Sequence, residues 1–148
     1  MTQVGEKNEV RDLTEAEQVA LKEMTARAIV ASGSEGRTDL KDIQRLYDAL
    51  LGQPYDRDRA RDVGALFGTF LAKLTEWEWQ VQMSETYGSD FVILHHAPNS
   101  QQFVVSPITM IEYRLEDRRE IDLRDVLDAI FDHYADEFGE FQFPKRDH

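Results

Sequence analysis

The chain has 148 residues, with 17 Lys and Arg against 29 Asp and Glu, a formal net charge of −12 and no cysteine. A chain of this length buries about 68–70% of its unfolded surface and needs no disulfide or metal to hold a core. The charge excludes a dedicated nucleic-acid backbone binder, whose affinity comes from a basic face, and an anionic membrane surface. The missing cysteine excludes a disulfide framework, a thiol nucleophile and a Cys-based zinc site.

Residues 1–10 carry neither the apolar core nor the basic lead of a signal peptide. The longest apolar runs, such as Phe91–Leu94, fall far short of the ~20 residues of a membrane helix. A soluble, cytoplasmic protein is expected, with a polar, disordered tail over residues 1–12 and one α+β domain over 13–148. The charge is uneven. Residues 1–76 carry a net −3 and residues 77–148 a net −9, and no Lys or Arg occurs between Lys73 and Arg114.

The first helix is predicted to open at Thr14, because Thr14 and Glu17 form a capping box. Leu21, Met24, Ala28 and Ala31 recur at helical spacing, and Ser32 to Gly36 end the helix. A second helix is predicted over about 38–51, with Leu40, Ile43, Leu46, Tyr47 and Leu50 as its apolar stripe and Gly52 as its stop. A third spans about 58–75 and turns Ala60, Val63, Phe67, Phe70, Leu71 and Leu74 to the core. Gly64 and Gly68 lie on one face of it. Their ordinary reading is close packing of that helix on the sheet, and the functional one a ligand or partner helix brought close.

The period then changes from 3.6 to 2. Trp77, Trp79, Val81 and Met83 alternate with Glu78, Gln80, Gln82 and Ser84, which predicts a strand with one wet face. Tyr87 to Asp90 reads as a turn. Phe91 to His96 is apolar on both faces until its end, which predicts a central strand covered on both sides. Residues 97–100 turn the chain into a third strand at 102–105, completing a three-stranded antiparallel meander. Ser106 and Pro107 predict a short helix with Ser as N-cap and Pro in the first turn, followed by Ile108, Ile111 and Leu115 at helical spacing. Asp122 caps a long last helix that Gly139 closes.

Few residues in this pattern carry chemistry. Neighbouring strand residues point to opposite faces, so His95 and His96 do not ligate one metal together. His133 and His148 complete no metal spacing, and no metal site is predicted. There is no Gly-x-Ser-x-Gly elbow, no phosphate loop and no dinucleotide-binding turn, so no cofactor is expected. Trp77 and Trp79 share a strand face, either as an aromatic core wall under a helix or as a ligand-stacking surface. No basic residues interleave with them, which disfavours nucleic acid. Asp125, Asp128, Asp132 and Asp136 form an acidic stripe along the last helix, either a solvated face or, functionally, a docking surface for a basic partner or a weak divalent-cation site.

Ser106-Pro107-Ile108-Thr109-Met110-Ile111-Glu112-Tyr113-Arg114-Leu115-Glu116, with Glu120-Ile121-Asp122-Leu123 shortly after it, resembles a small bacterial family, the domain of unknown function numbered 3806. Gly64 and Leu66-Phe67-Gly68, the strand opening at Trp79 and the Tyr87-Gly88 turn follow the family order, so the resemblance covers about residues 60–130. Ser106 stands where the family has an aromatic residue, Arg118-Arg119 where it has a glycine–acid pair, and Ser84-Glu85 where its strand end is more acidic. The resemblance implies a fold and supplies no chemistry.

Two function classes follow. The first is a non-enzymatic accessory or interaction protein whose acidic last helix meets a basic protein partner. The second is a small-molecule binder or enzyme with a pocket between the meander and the 107–115 helix, lined by Trp79, His95, His96, Met110 and Arg114. Arg114, the first cation after the forty-residue gap, is read as a structural ion pair or as an anchor for an anionic ligand. The chain is expected as a monomer or a homodimer, since an uncovered edge strand can pair with a second copy.

Overall fold

A computed structural model describes residues 9–34, 38–86, 88–96 and 101–144. The chain order is β1 (Glu9–Arg11), α1 (Glu15–Ser32), α2 (Leu40–Leu51), α3 (Arg57–Thr75), β2 (Glu78–Ser84), β3 (Gly88–His96), β4 (Gln102–Val105), α4 (Pro107–Glu116) and α5 (Leu123–Phe138). Among the described residues the fold is α+β, with five helices and an antiparallel sheet in the order β1-β2-β3-β4. No helix among the described residues is long and apolar enough to cross a membrane. Residues 1–8 of the expected tail, the end of the first helix stop at Glu35 and Gly36, Tyr87, the turn at 97–100 and His148 lie outside the described residues.

The helix starts follow their caps. Thr14 and Glu17 form the expected capping box, and Gly33 closes α1 in the left-handed conformation at φ 72°. Asp39 and Asp42 make a second capping box, so α2 begins at Leu40, slightly later than its predicted start. Asp56 accepts from the backbone N–H groups of Asp58 and Arg59 and starts α3 at Arg57. Pro107 occupies the first turn of α4 as expected. Ser106 makes no side-chain capping bond, so the proline, with its fixed φ and missing donor, sets that start.

Three expectations about the sheet are corrected. The sheet has four strands, because residues 9–11 of the expected tail pair with β2 in the register Glu9↔Met83, Val10↔Gln82 and Arg11↔Val81. Main-chain pairing needs no apolar side chains, which is why hydropathy does not signal β1. Side chains fix the segment as well: Arg11 donates twice to the Glu17 carboxylate at 2.7 and 2.8 Å. Gln80, expected on a wet face, is 7% exposed and donates to Asp12 at 2.8 Å, whereas Met83, expected in the core, is 40% exposed. The polar segment after β1 thus closes over Gln80, and Met83 sits near the outer end of β2. The turn into β3 also sits earlier than expected, since Gly88 already pairs with Ser84.

β3 lies inside the sheet as expected, and Val92, Ile93 and Leu94 are buried on both of its faces. The ladder Trp79↔Ile93, Val81↔Phe91, Ile93↔Val105 and His95↔Phe103 puts one row of side chains on the core face. α3 is the central helix. Its stretch from Asp62 to Gly68 is buried all round, as befits a helix with neighbours on several sides. The two glycines explain how it is wrapped so closely. A Cβ on Gly64 would lie 2.6 Å from the Ile108 Cα of α4, and one on Gly68 would lie 2.4 Å from the Trp79 ring and 2.7 Å from Pro107. The glycines therefore admit α4 and the indole, beyond the simple helix-on-sheet contact expected.

Candidate functional site

The C-terminal third builds two adjoining surfaces from α5. Val126, Ile130 and Tyr134 recur at helical spacing and turn inward. Asp125, Asp128, Asp132 and Asp136 fall on the other side, and all four are exposed. None of them pairs with a cation among the described residues. The stripe is thus an unneutralised row of carboxylates with two i,i+4 like-charge neighbours.

Beside it a groove of about 250 Å³ runs between β4, α4 and α5. Its walls include Phe103, Val105, Met110, Val126 and Ile130, with Arg114 and His133 as its ionisable groups. Arg114 is half-buried and donates from Nη1 to the Met110 carbonyl at 3.0 Å, one turn back on its own helix. It has no carboxylate partner among the described residues; Glu112, two residues back and turned to another side of α4, pairs with Arg57 at 3.3 Å and Arg61 at 2.8 Å. Those two bonds, rather than Arg114, tie α4 to α3.

The structure brings Met110 and Arg114 together and disperses the other predicted pocket residues. His95 lies in an aromatic cluster, stacked on Trp77 with centroids 5.3 Å apart and with its Nε2 3.2 Å from the Tyr134 hydroxyl. Phe103, across the ladder, and Phe141, from the segment after α5, pack on the same group. Burial pushes the His95 imidazole below its ordinary pKa, and the neighbouring His96 adds to the effect. His96 is exposed on the other side of the strand. Trp79 faces α1 and α3, with its ring against Phe91 and the Gly68 notch.

Two features here are not expected from the sequence, where His133 is weighed only as a metal ligand. His133 lines the groove, and its place seven residues after Val126 puts it on the same helix face, a signal available from spacing alone. A larger cleft of about 810 Å³ separates α1, α2 and α3. At its wall Arg27 makes a two-pronged bond to Asp62, at 3.0 Å for each prong. These partners lie 35 residues apart in the chain, and no local pattern joins them.

Neither a curated protein nor a solved structure matches the chain. A family model does match, over residues 39–126, which take in α2, α3, β2 to β4, α4 and the start of α5. The match covers well over half of the chain and includes the glycine notches, Met110 and Arg114, so the chain belongs to the family described as Domain of unknown function (DUF3806).

Proposed function

We propose that the chain is a non-enzymatic interaction module that docks a basic protein partner on the outer face of α5. The observation that carries this reading is the row Asp125, Asp128, Asp132 and Asp136, exposed along one helix and without an ion-pair partner among the described residues. Such a row concentrates negative potential, raises the encounter rate with a cationic surface and makes binding fall with ionic strength. The test is capture from the native host with the wild-type chain and with the triple variant Asp128→Asn, Asp132→Asn and Asp136→Asn. The expected result is a basic protein retained by the wild type and lost both with the variant and in raised salt. A complex indifferent to both changes, or no recovery at all, refutes the reading.

A second reading rests on Arg114, a half-buried guanidinium without a carboxylate beside a groove of about 250 Å³. That volume is below the roughly 300–1,000 Å³ of drug-sized sites and suits a small anion. Calorimetric titration with acetate and inorganic phosphate, repeated with Arg114→Gln, tests it. Binding that survives the substitution removes the reading.

A further inference from the structure

Trp79 borders a second cleft, well separated in the chain from the α5 face. It has a volume of about 680 Å³ and lies among the segment entering α1, one side of α1, and α3. That size falls within the range of small-molecule sites, roughly 300–1,000 Å³. Its wall is mostly apolar, built from Leu13, Leu21, Ile29 and the indole of Trp79. Gly68 keeps the indole in place, since a Cβ there would meet its six-membered ring.

The polar groups at this cleft are biased toward donors. The Trp79 indole N–H is buried and has no acceptor among the described residues. The Thr25 hydroxyl donates to the Leu21 carbonyl at 2.9 Å, which leaves Thr69 as the donor in their long 3.4 Å contact. The Thr69 hydroxyl is therefore only weakly engaged. Lys22 lines the cleft and makes no ion pair among the described residues. The acid at the cleft, Asp12, accepts from the neutral Gln80 amide at 2.8 Å and keeps its charge, which confines an anionic head to the neighbourhood of Lys22 and Thr69.

An apolar wall, one cation and under-used donors are complementary to a molecule with an apolar body and an anionic acceptor head. We propose that this cleft binds a small alkyl or aryl carboxylate, its body against Leu13, Leu21, Ile29 and Trp79 and its head toward Lys22 and Thr69. Calorimetric titration of the full chain with decanoate, below its micelle concentration, and with decanol as the uncharged comparison is the test. Decanoate is expected to bind at least tenfold more tightly than decanol. Lys22→Gln and the isosteric Thr69→Val should each weaken decanoate at least threefold, and Ala26→Phe, at an exposed position on the cleft wall, should abolish it. Far-UV circular dichroism and melting curves establish that each variant is folded. Absence of decanoate binding to the wild type overturns the proposal. So does binding untouched by Ala26→Phe, equal binding of decanol, or a cleft that closes only when a second copy associates at high concentration.

Discussion

Replacing Gly64 by alanine tests the account of how α3 is enclosed. In an exposed helix interior, alanine in place of glycine stabilises by about 1 kcal/mol. At Gly64 the new Cβ would stand 2.6 Å from the Ile108 Cα, 3.1 Å from its carbonyl oxygen and 3.2 Å from that of Pro107. Those atoms are backbone, so no rotamer change relieves the contact. α4 must move away from α3, which loosens Ile108 and Ile111, both fully buried. Overpacking of this kind costs about 1–3 kcal/mol, and the backbone obstacle places the cost at the upper end. Set against the propensity gain, the net loss is about 2 kcal/mol, or a fall in Tm of roughly 4–8 °C for a chain of this size. Gly52→Ala is the internal control. Its Cβ meets nothing closer than 3.5 Å and its φ is −81°, so it should be neutral or stabilising by up to about 1 kcal/mol. Urea and thermal denaturation of both variants decide the matter. A Gly64→Ala protein as stable as the wild type would show that α4 is not held by the notch.

Gly68→Ala should cost less than Gly64→Ala, because its main obstacle is the Trp79 side chain. The displaced indole should shift tryptophan emission. The His95 imidazole has its folded pKa below the unfolded value of about 6.5, so the unfolded chain takes up the proton first. Stability should therefore fall as pH drops below about 6.5, and the fall should be shallower in His95→Phe, read from urea midpoints at each pH. Asp90 shows the opposite sign. Burial raises its pKa despite the 2.8 Å bond from Thr109, so its contribution is present at low pH and lost as pH rises through the raised value. Asp90→Asn should accordingly gain stability relative to wild type on going from acid to neutral pH. Glu17, held at about 2 chiefly by the Arg11 bond against an ordinary 4.5, supplies stability that is lost as pH falls across that interval. Glu17→Gln should remove that part of the acid transition.

The legible parts of the fold were those whose cause is local. The Thr14–Glu17 box, the Pro107 start, the Gly139 stop and the alternation after Trp77 all act within a few residues, and each sets an element. β1 was illegible because its Glu-Val-Arg stretch offers no apolar face, and only the β2 edge gives it a partner. The candidate site was half legible for the same reason. Met110 and Arg114 share a helix face one turn apart, so they stay together wherever α4 packs. His95 and Trp79 share a sheet face with each other, but different helices cover the two ends of that face. His95 meets α5 through Tyr134, whereas Trp79 meets α3 at Gly68. The Arg118-Arg119 departure has a structural counterpart. Arg118 adopts a φ of 57°, which a glycine would adopt freely, and its guanidinium reaches the Leu51 and Gln53 carbonyls at the C-terminal end of α2. The carbonyl of Arg119 accepts the Tyr47 hydroxyl at 2.7 Å. The two arginines thus dock the α4–α5 loop on α2, a role invisible in a local pattern because the partners lie 65 to 72 residues away.

The net charge looks different once its pairing is known. The described ion pairs engage Glu17, Asp42, Asp56, Asp62, Glu112 and Asp117, and each uses an arginine. All of these acids lie between α1 and the loop after α4, and except for the local Arg119–Asp117 pair in that loop, these ion pairs fasten one element to the next or close a helix start. α5 receives none of them. Its buried side is anchored by Leu123, Val126, Leu127, Ile130 and Tyr134, and its exposed aspartates make no ion pair among the described residues. Replacing them should leave the core intact. Asp132→Asn removes two i,i+4 repulsions at once and should stabilise α5 by about 0.4–1 kcal/mol at low salt. If the same change also weakens capture of a basic partner, the row is maintained against its own cost in stability, which a merely solubilising face would not require.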